Sequence, residues 1–594
     1  MSRLRSISAS TVILFAVQGF LPGLPGSVTV SSEQTQMTRS NEWNMTRISF
    51  DAARYPDAKD TLAPFDGDAD FEVSEALGYL DLKTFVGNWL WSGSPGDNPA
   101  DLYRDGTVDF RDFAVFACSW SEGRSCVAII IDSDTYSGLA SEVQRLGSDV
   151  EDDLQVRVFI LPDDWSDIRR IKDVLIDKYN HDGLIGAILI GEIPTAYFEF
   201  QDSGAMPTDW YFEDLSDKFI DSDGDGKFER EYYAMETDIT MRDIWTGRIK
   251  PPVGGSEGMT LLKDYFDRNH DYRTGSLTYS EKMLYFGSVA INQNDMNQAD
   301  YNDLVDQIDE FTGLYESDDD VNSIYDTDLE VQKSAYLSEL SNSYDFVFVN
   351  IHGSVTTQWL GSSVSVYHNE IRDARPQGLF NVLASCSNGD FTRDNYLAGW
   401  HLFSGNSLVV MANSTVAMLV GATSVEFLRD YIPLGLGVTF GDMHRNDLSS
   451  LPVHLFGDPT LTLRPKPTGD LPALRLDMSS IDFGEVERGT KPQRYIVFTN
   501  KGNVQLKVSF KKGRFSIDGE AVILGYWDVF YYKHPDTGYL FRDFEVAPGQ
   551  SKAVPFVFYP RSDGPSGRYS MVILFQTNDP ENAYLRIRLV GDAL

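Results

Sequence analysis

The 594-residue sequence predicts a multidomain chain: an α/β domain with a mostly parallel sheet, preceded by a small α-helical module with acidic loops and followed by an all-β sandwich. Three observations predict this. From Cys126 to about residue 465, short apolar runs alternate with stretches of helical spacing, the pattern of right-handed βαβ crossovers. Within residues 61–122, carboxylates followed by helically spaced apolar residues recur at an offset of thirty-one residues. Past the break at Arg464-Pro465-Lys466-Pro467-Thr468-Gly469, helical periodicity disappears and strand-like runs are punctuated by Gly and Asn turns.

Composition narrows the function classes. A formal net charge of −39 disfavours nucleic acid and anionic membrane surfaces as partners, because phosphate neutralisation needs a basic face. Residues 1–30 read as a secretory signal: Arg3 and Arg5 precede the apolar Thr11–Val17 and Gly19–Leu21, and small residues follow at Gly26-Ser27. Residues 31–60 are a polar linker or pro-segment. No later stretch reaches the roughly 18 apolar residues of a membrane span, so a secreted or cell-surface protein is expected. Of three cysteines, Cys118 and Cys126 are close enough in sequence to pair, which leaves Cys386 odd.

In the first module, Asp70, Leu77, Asp81, Leu82, Phe85 and Trp89 recur as Asp101, Val108, Asp112, Phe113, Phe116 and Trp120. The second copy sets Asp101, Asp105, Asp109 and Asp112 at loop positions 1, 5, 9 and 12, with Gly106 at the sharp turn. That is the ligand spacing of an EF-hand-type calcium loop. The first copy has Ser74 and Glu75 where a ligand and the turn Gly are expected.

In the α/β domain, strands are predicted at Val127–Asp132, Gln155–Leu161 and Leu184–Ile190, with helices at Leu139–Leu146 and Ser166–Tyr179. An acidic loop follows, with Asp221, Asp223 and Asp225 at positions 1, 3 and 5 and Gly226 at 6. It is a second candidate calcium site, whose closing carboxylate would come from Glu229, Glu231 or elsewhere. A helix at Met259–Tyr272, a strand at Met283–Gly287 and a helix at Tyr301–Leu314 lead to the two central runs. Asp345–Ile351 ends in His352-Gly353-Ser354, and Phe380–Ala384 ends in Ser385-Cys386-Ser387-Asn388-Gly389-Asp390. Each reads as a buried parallel strand delivering its last residues to the C-terminal edge of the sheet, where ligands sit in open α/β folds. On neighbouring strands, an imidazole and a thiol would stand side by side, the kit for thiolate nucleophilic catalysis. A helix at Asn395–Phe403, a strand at Ser407–Ala412 and the run Val453–Leu463 complete the domain. The sandwich strands are expected at Arg475–Phe483, Tyr495–Asn500, Leu506–Phe510, Ala553–Tyr559, Tyr569–Gln576 and Tyr584–Val590. The remaining histidines, among them His401, His444 and His454, form no zinc signature and read as structural or surface residues.

Three resemblances attach to these residues. The repeat at 61–122 resembles dockerin modules, which implies calcium and a docking partner. Phe483-Gly484-Glu485-Val486, Asn500-Lys501-Gly502, Val546-Ala547-Pro548-Gly549-Gln550 and Asn578-Asp579-Pro580, within residues 470–594, resemble hydin-type Ig-like modules, which bind or space. Residues 126–465 resemble gingipain-type cysteine peptidases of the caspase-like clan. The match is carried by Leu189-Ile190-Gly191, Gly247-Arg248, His352-Gly353-Ser354, Cys386-Ser387-Asn388-Gly389-Asp390-Phe391 and Leu455-Phe456-Gly457-Asp458-Pro459.

This last resemblance implies a caspase-like sandwich, endopeptidase activity on protein or peptide substrates, no metal in the chemistry and structural Ca2+. Cys386 would form a thioester acyl-enzyme, and His352 would act as acid or base. The N–H groups of Gly353 and Cys386 are candidates for the oxyanion hole. Asp300, with Asp295 second, matches the carboxylate that holds a basic P1 side chain in arginine-specific relatives. Two departures border the chemistry: Ser385 where Ala is common, and Asn350-Ile351 where a Gly is frequent. The competing expectation is a catalytically silent adhesion or scaffold protein using its two flanking modules. An autoprocessing enzyme is a third.

Overall fold

The computed structural model describes residue 92, residues 107–108 and residues 125–594, apart from 201–203, 216–218, 231–241, 288–313, 316–319, 362, 417–425, 447–452, 518–519 and 522–528. The chain divides into two compact units, Met1–Cys118 and Ser119–Leu594. In the first, an antiparallel bridge joins Ser92 to Thr107, and Val108 is buried. The signal, the linker, the repeat ligands Asp101, Asp105, Asp109 and Asp112, all but the last residue of the helix expected at Tyr301–Leu314, Asp295 and Asp300 lie outside the described residues.

The second unit begins with β1 (Cys126–Asp132), α1 (Ser133–Leu154), β2 (Arg157–Asp163), α2 (Ile168–Asp182) and β3 (Leu184–Ile190). Asp132 caps α1 by accepting from the Thr135 N–H, and Asp167 caps α2 by accepting from Arg169. β4 (Ala196–Phe200), β5 (Gly204–Thr208), the short α3 (Trp210–Glu213) and β6 (Phe228–Arg230) make an outlying excursion. The main sheet resumes with β7 (Trp245–Ile249), α4 (Gly255–Arg273), β8 (Met283–Gly287), β9 (Val321–Ser323), α5 (Leu329–Leu340) and β10 (Phe346–Asn350). A small hairpin sheet follows: β11 (His352–Gly353), β12 (Thr357–Leu360) and β13 (Val364–Tyr367). After it come α6 (His368–Ala374), β14 (Phe380–Ala384), α7 (Leu397–Phe403), β15 (Val409–Asn413), α8 (Phe440–Asn446) and β16 (Val453–Gly457).

Ten strands form the main sheet in the order β2-β1-β3-β7-β16-β15-β14-β10-β8-β9. Neighbours are parallel except β15 and β16, which are antiparallel. Both faces are covered, as the apolar character of β1 requires. Val127, Ile129 and Ile131 pack with Val143 and Leu146 of α1, while Ala128 and Ile130 pack with Ile171 and Leu175 of α2. β16, last in the chain, fills the gap between β7 and β15.

Several expectations shift by a few residues. Helix α1 spans twenty-two residues, far beyond Leu139–Leu146, because its cap at Asp132 sits directly at the end of β1. Cys126 is a free thiol, fully buried at the start of β1, where burial pushes its pKa up to about 11. This corrects the expected pairing with Cys118, which lies outside the described residues. The sulfur packs in the core with Ile171, Leu175 and Leu184.

Beyond the Pro-rich break the chain is all β: β17 (Leu474–Leu476), β18 (Ser480–Val486), β19 (Gln493–Asn500), β20 (Leu506–Ile517), β21 (Glu520–Ala521), β22 (Phe530–Tyr532), β23 (Phe544–Val546), β24 (Ser551–Phe558), β25 (Gly567–Thr577) and β26 (Tyr584–Ala593). They form a four-stranded sheet, β17-β19-β24-β22, and a six-stranded sheet in which β18, β26, β25, β20 and β21 follow one another and β23 pairs with β20. Ile496, Phe498, Phe530 and Phe556 of the first share a core with Val508, Ile573, Phe575 and Ile587 of the second, the construction of a sandwich. The strand expected at Arg475–Phe483 divides into β17 and β18, which join different sheets.

Candidate functional site

β10 and β14 are parallel neighbours, and their register pairs Asn350 with Ala384. His352 and Cys386 each stand two residues past that pair, just beyond the C-terminal ends of adjacent strands. His352 is exposed and Cys386 half-buried.

The turn holding Cys386 is fixed from several directions. Ser385 N–H donates to Leu383 O, Ser387 N–H to Thr415 O and Gly389 N–H to Asn413 O. The Cys386 N–H takes no part in these bonds. Ser387 has φ +54°, a left-handed conformation that a non-Gly residue adopts at a cost of about 1 kcal/mol and that bends the chain sharply after the thiol.

Gly353 lies directly against this turn. A Cβ there would come within 2.7 Å of Asn388 Nδ2, 3.1 Å of Cys386 O and 3.1 Å of the Ser385 Cβ. The strand carrying the imidazole therefore approaches the Cys386 turn as closely as a main chain can, which only glycine permits.

Asn388 fills the remaining space. Its Nδ2 donates to Ser354 O at 2.5 Å and lies 3.5 Å from Cys386 O. Its Oδ1 accepts from Gln358 Nε2 at 3.0 Å, and Gln358 Oε1 accepts from Tyr336 OH at 3.2 Å. All three side chains are fully buried.

The hairpin has two faces. Gln358, Leu360, Val364 and Val366 are buried, whereas Trp359 and Tyr367 are exposed. His352 pairs directly with Trp359 across β11 and β12, so an exposed indole flanks the imidazole.

Near the Cys386 turn lies a buried polar layer whose pairing the sequence does not announce. Arg248 on β7 grips Asp209 through Nε at 2.8 Å and Nη2 at 2.5 Å, and its guanidinium stacks 4.2 Å from the Phe391 ring. His454 Nδ1 accepts from the Asp209 N–H at 3.5 Å, and its Nε2 lies 3.0 Å from Ser414 Oγ. Ser414 Oγ donates its proton to Pro207 O, so the imidazole must donate to Ser414 and is neutral; burial pushes its pKa down to about 4. Ser414 sits between Asn413 and Thr415, whose carbonyls hold the Cys386 turn.

A second buried group surrounds Glu213, which accepts from Arg242, Thr246 and His444. Burial alone would raise its pKa; the His444 and Arg242 charges with these hydrogen bonds hold the carboxyl well below its usual range. Charged residues inside the α/β domain give no periodic signal, and only their hydrogen-bond partners reveal them as core.

The acidic loop at 221–229 closes on itself. The carboxylate oxygens of Asp221, Asp223 and Glu229 lie within 4.8 Å of one another, as do those of Glu199, Asp223 and Asp225. Gly224 and Gly226, at φ +77° and +88°, turn the chain so that their N–H groups point to Asp221. Glu229 brings its carboxylate to the first group and also accepts from the Ser222 N–H, whereas Glu231 lies outside the described residues. Glu199, on β4, joins the group although no sequence spacing links it to the loop. Lys227 pairs with Asp225 and lies 3.9 Å from Glu199. The oxygen-only donor set and the sharp glycine turn fit a hard divalent cation.

Among the described residues no helix is long and apolar enough to cross a membrane. No curated protein matches the chain. Solved structures with local likeness include the ASH/PapD-like domain 7 of human CEP192, 17% identical, covering 22% of this chain and 92% of that one, with a TM-score of 0.15. A protein of unknown function from Porphyromonas gingivalis W83 is 18% identical, covering 24% of this chain and 56% of that one, with a TM-score of 0.16. A family 123 glycoside hydrolase from Clostridium perfringens is 10% identical, covering 21% and 26%, with a TM-score of 0.16. Residues 472–590 match the model of the HYDIN/CFA65/VesB-like Ig-like domain, so the sandwich at the end of the chain is Ig-like.

Proposed function

We propose that the chain is a secreted cysteine endopeptidase of the gingipain type. The observation that supports the reading is the register of β10 against β14, parallel neighbours whose chains run on two residues to His352 and Cys386, with Gly353 packed on the Cys386 turn. In this reading the Cys386 thiolate attacks the scissile carbonyl, and electrons move onto the oxygen, which the N–H groups of Gly353 and Cys386 receive. Collapse of that intermediate breaks the C–N bond, and His352 protonates the departing amine. Water then hydrolyses the thioester and frees the thiol. The exposed Trp359 beside His352 offers an apolar surface to the peptide on the leaving-group side. Asp300, or Asp295, remains the proposed carboxylate for a basic P1 residue.

The loop carboxylates Asp221, Asp223, Asp225 and Glu229, with Glu199, would hold Ca2+ as a structural ion, as the second acidic loop, Asp101 to Asp112, would in a dockerin-like module. Incubation of the purified protein with a denatured proteome tests the function. Cleavage that disappears in Cys386→Ala and falls by about 10²–10⁴-fold in His352→Ala is expected; no cleavage, or cleavage indifferent to Cys386, sinks it. The Ig-like match at 472–590 favours a second reading, an extracellular adhesion or scaffold protein with a silent centre. Slow, substrate-insensitive alkylation of Cys386 would select it.

A further inference from the structure

We propose that Asn388 is the positioning residue of this site: its carboxamide fastens the Cys386 turn to the loop that follows His352 and so sets thiol and imidazole in register. The proposal rests on the reading of His352 and Cys386 as the reacting pair.

The hydrogen bonds around Asn388 can run in one direction only. Ser354 O and Cys386 O are carbonyls and only accept, so the Asn388 amide must present Nδ2 to them. Its Oδ1 then faces Gln358, which must offer Nε2. Gln358 is left with Oε1 towards Tyr336, whose hydroxyl must donate. The chain of donors thus starts at Tyr336 on α5, crosses the hairpin through Gln358 and ends at the main chain of both reacting segments. Tyr336 is itself pinned by stacking on Phe286 of β8, with centroids 4.2 Å apart. The Asn388 backbone is held as well, since its carbonyl accepts from the Ala398 N–H at the start of α7. A fully buried directional chain resists rotation at every link, because turning one amide sets two acceptors or two donors against each other.

Neither an apolar residue nor a carboxylate satisfies this position. Leu would leave the Ser354 carbonyl and the Gln358 amide unpaired. Asp would keep the shape and the acceptor for Gln358 but would set a carboxylate oxygen against two carbonyls. Only when protonated would that carboxyl regain a donor, which makes the substitution a pH-sensitive probe.

The test uses the full chain, with Asn388→Asp, Tyr336→Phe and wild type compared. Peptide cleavage gives kcat and KM, iodoacetamide gives the second-order alkylation rate of Cys386 from pH 5 to 8, and thermal melting controls for folding. At pH 7.5, Asn388→Asp should lower kcat and the alkylation rate by roughly 10–100-fold with KM little changed, because displacing reacting groups by about 1 Å has effects of that size. The ratio of variant to wild-type rate should climb as pH falls and the introduced carboxyl takes up a proton. Tyr336→Phe, which loses one hydroxyl, should fold and show a loss of a few fold in the same direction. Alkylation and kcat equal to wild type, or a rate ratio flat with pH, would overturn the proposal even if the variant melts earlier. A wild type that cleaves no peptide would instead refute the peptidase reading, while the alkylation comparison still decides the role of Asn388.

Discussion

Ser385 is fully buried, and among the described residues its hydroxyl oxygen has no hydrogen-bond partner. Because a buried unpaired hydroxyl contributes only a desolvation penalty, Ser385→Ala should leave stability unchanged or raise it by up to about 1 kcal/mol, as read by urea midpoints. Gly353→Ala should do the reverse: the new methyl meets Asn388 Nδ2 and the Cys386 carbonyl, costing about 1–3 kcal/mol and displacing the turn. Two buried imidazoles make stability depend on pH. Burial lowers His401 from 6.5 to about 3 and His454 from 6.5 to about 4. Both stay neutral in the folded chain while the unfolded chain takes up protons below about 6.5. Their contribution is therefore complete above that value and lost as pH falls towards 4, at about 1.4 kcal/mol per pH unit for each. Urea midpoints between pH 4.5 and 7 should show this slope, and His401→Leu should reduce it by one proton's worth.

At the scale of the element, the hairpin Thr357–Tyr367 buries Gln358 and presents Trp359 beside His352, at the edge of the proposed site. Trp359→Ala should raise KM for peptides several-fold with little change in stability, measured by steady-state cleavage and melting. The hairpin is not legible in the sequence because its strands hold four residues each, too few for alternation to stand out. β22 and β23, with three residues each, are hidden for the same reason. By contrast Met283–Gly287 and Leu184–Ile190 are legible to the residue, since an unbroken apolar run of that length, closed by Gly, fits a buried strand and little else. His352 and Cys386 are legible through that same pattern. Asn388 and Arg248 stand inside recognisable motifs, but their roles depend on partners dozens of residues distant.

At the scale of the molecule, Arg586 of the Ig-like sandwich donates to Arg242 O at 3.0 Å and to Asn446 Oδ1 through Nη2 at 3.0 Å. Burial lowers its pKa to about 9. Lys511 adds a 3.1 Å ion pair to Asp430. The sandwich is therefore coupled to the α/β domain, and Arg586→Ala, removing about 1–3 kcal/mol of charged hydrogen bonding, should split one calorimetric transition into two. The order of strands in the large sheet has a further consequence. The four strands β2, β1, β3 and β7 touch the five that include β10 and β14 only through β16, the last of the ten to leave the ribosome. Until Val453–Gly457 is translated, the nascent domain exists as two half-sheets with open apolar edges, and the keystone that joins them also brings in His454. A chain stopped at residue 452 should aggregate on size-exclusion chromatography, and the newly made domain should stay incompletely folded until its final strand slots home.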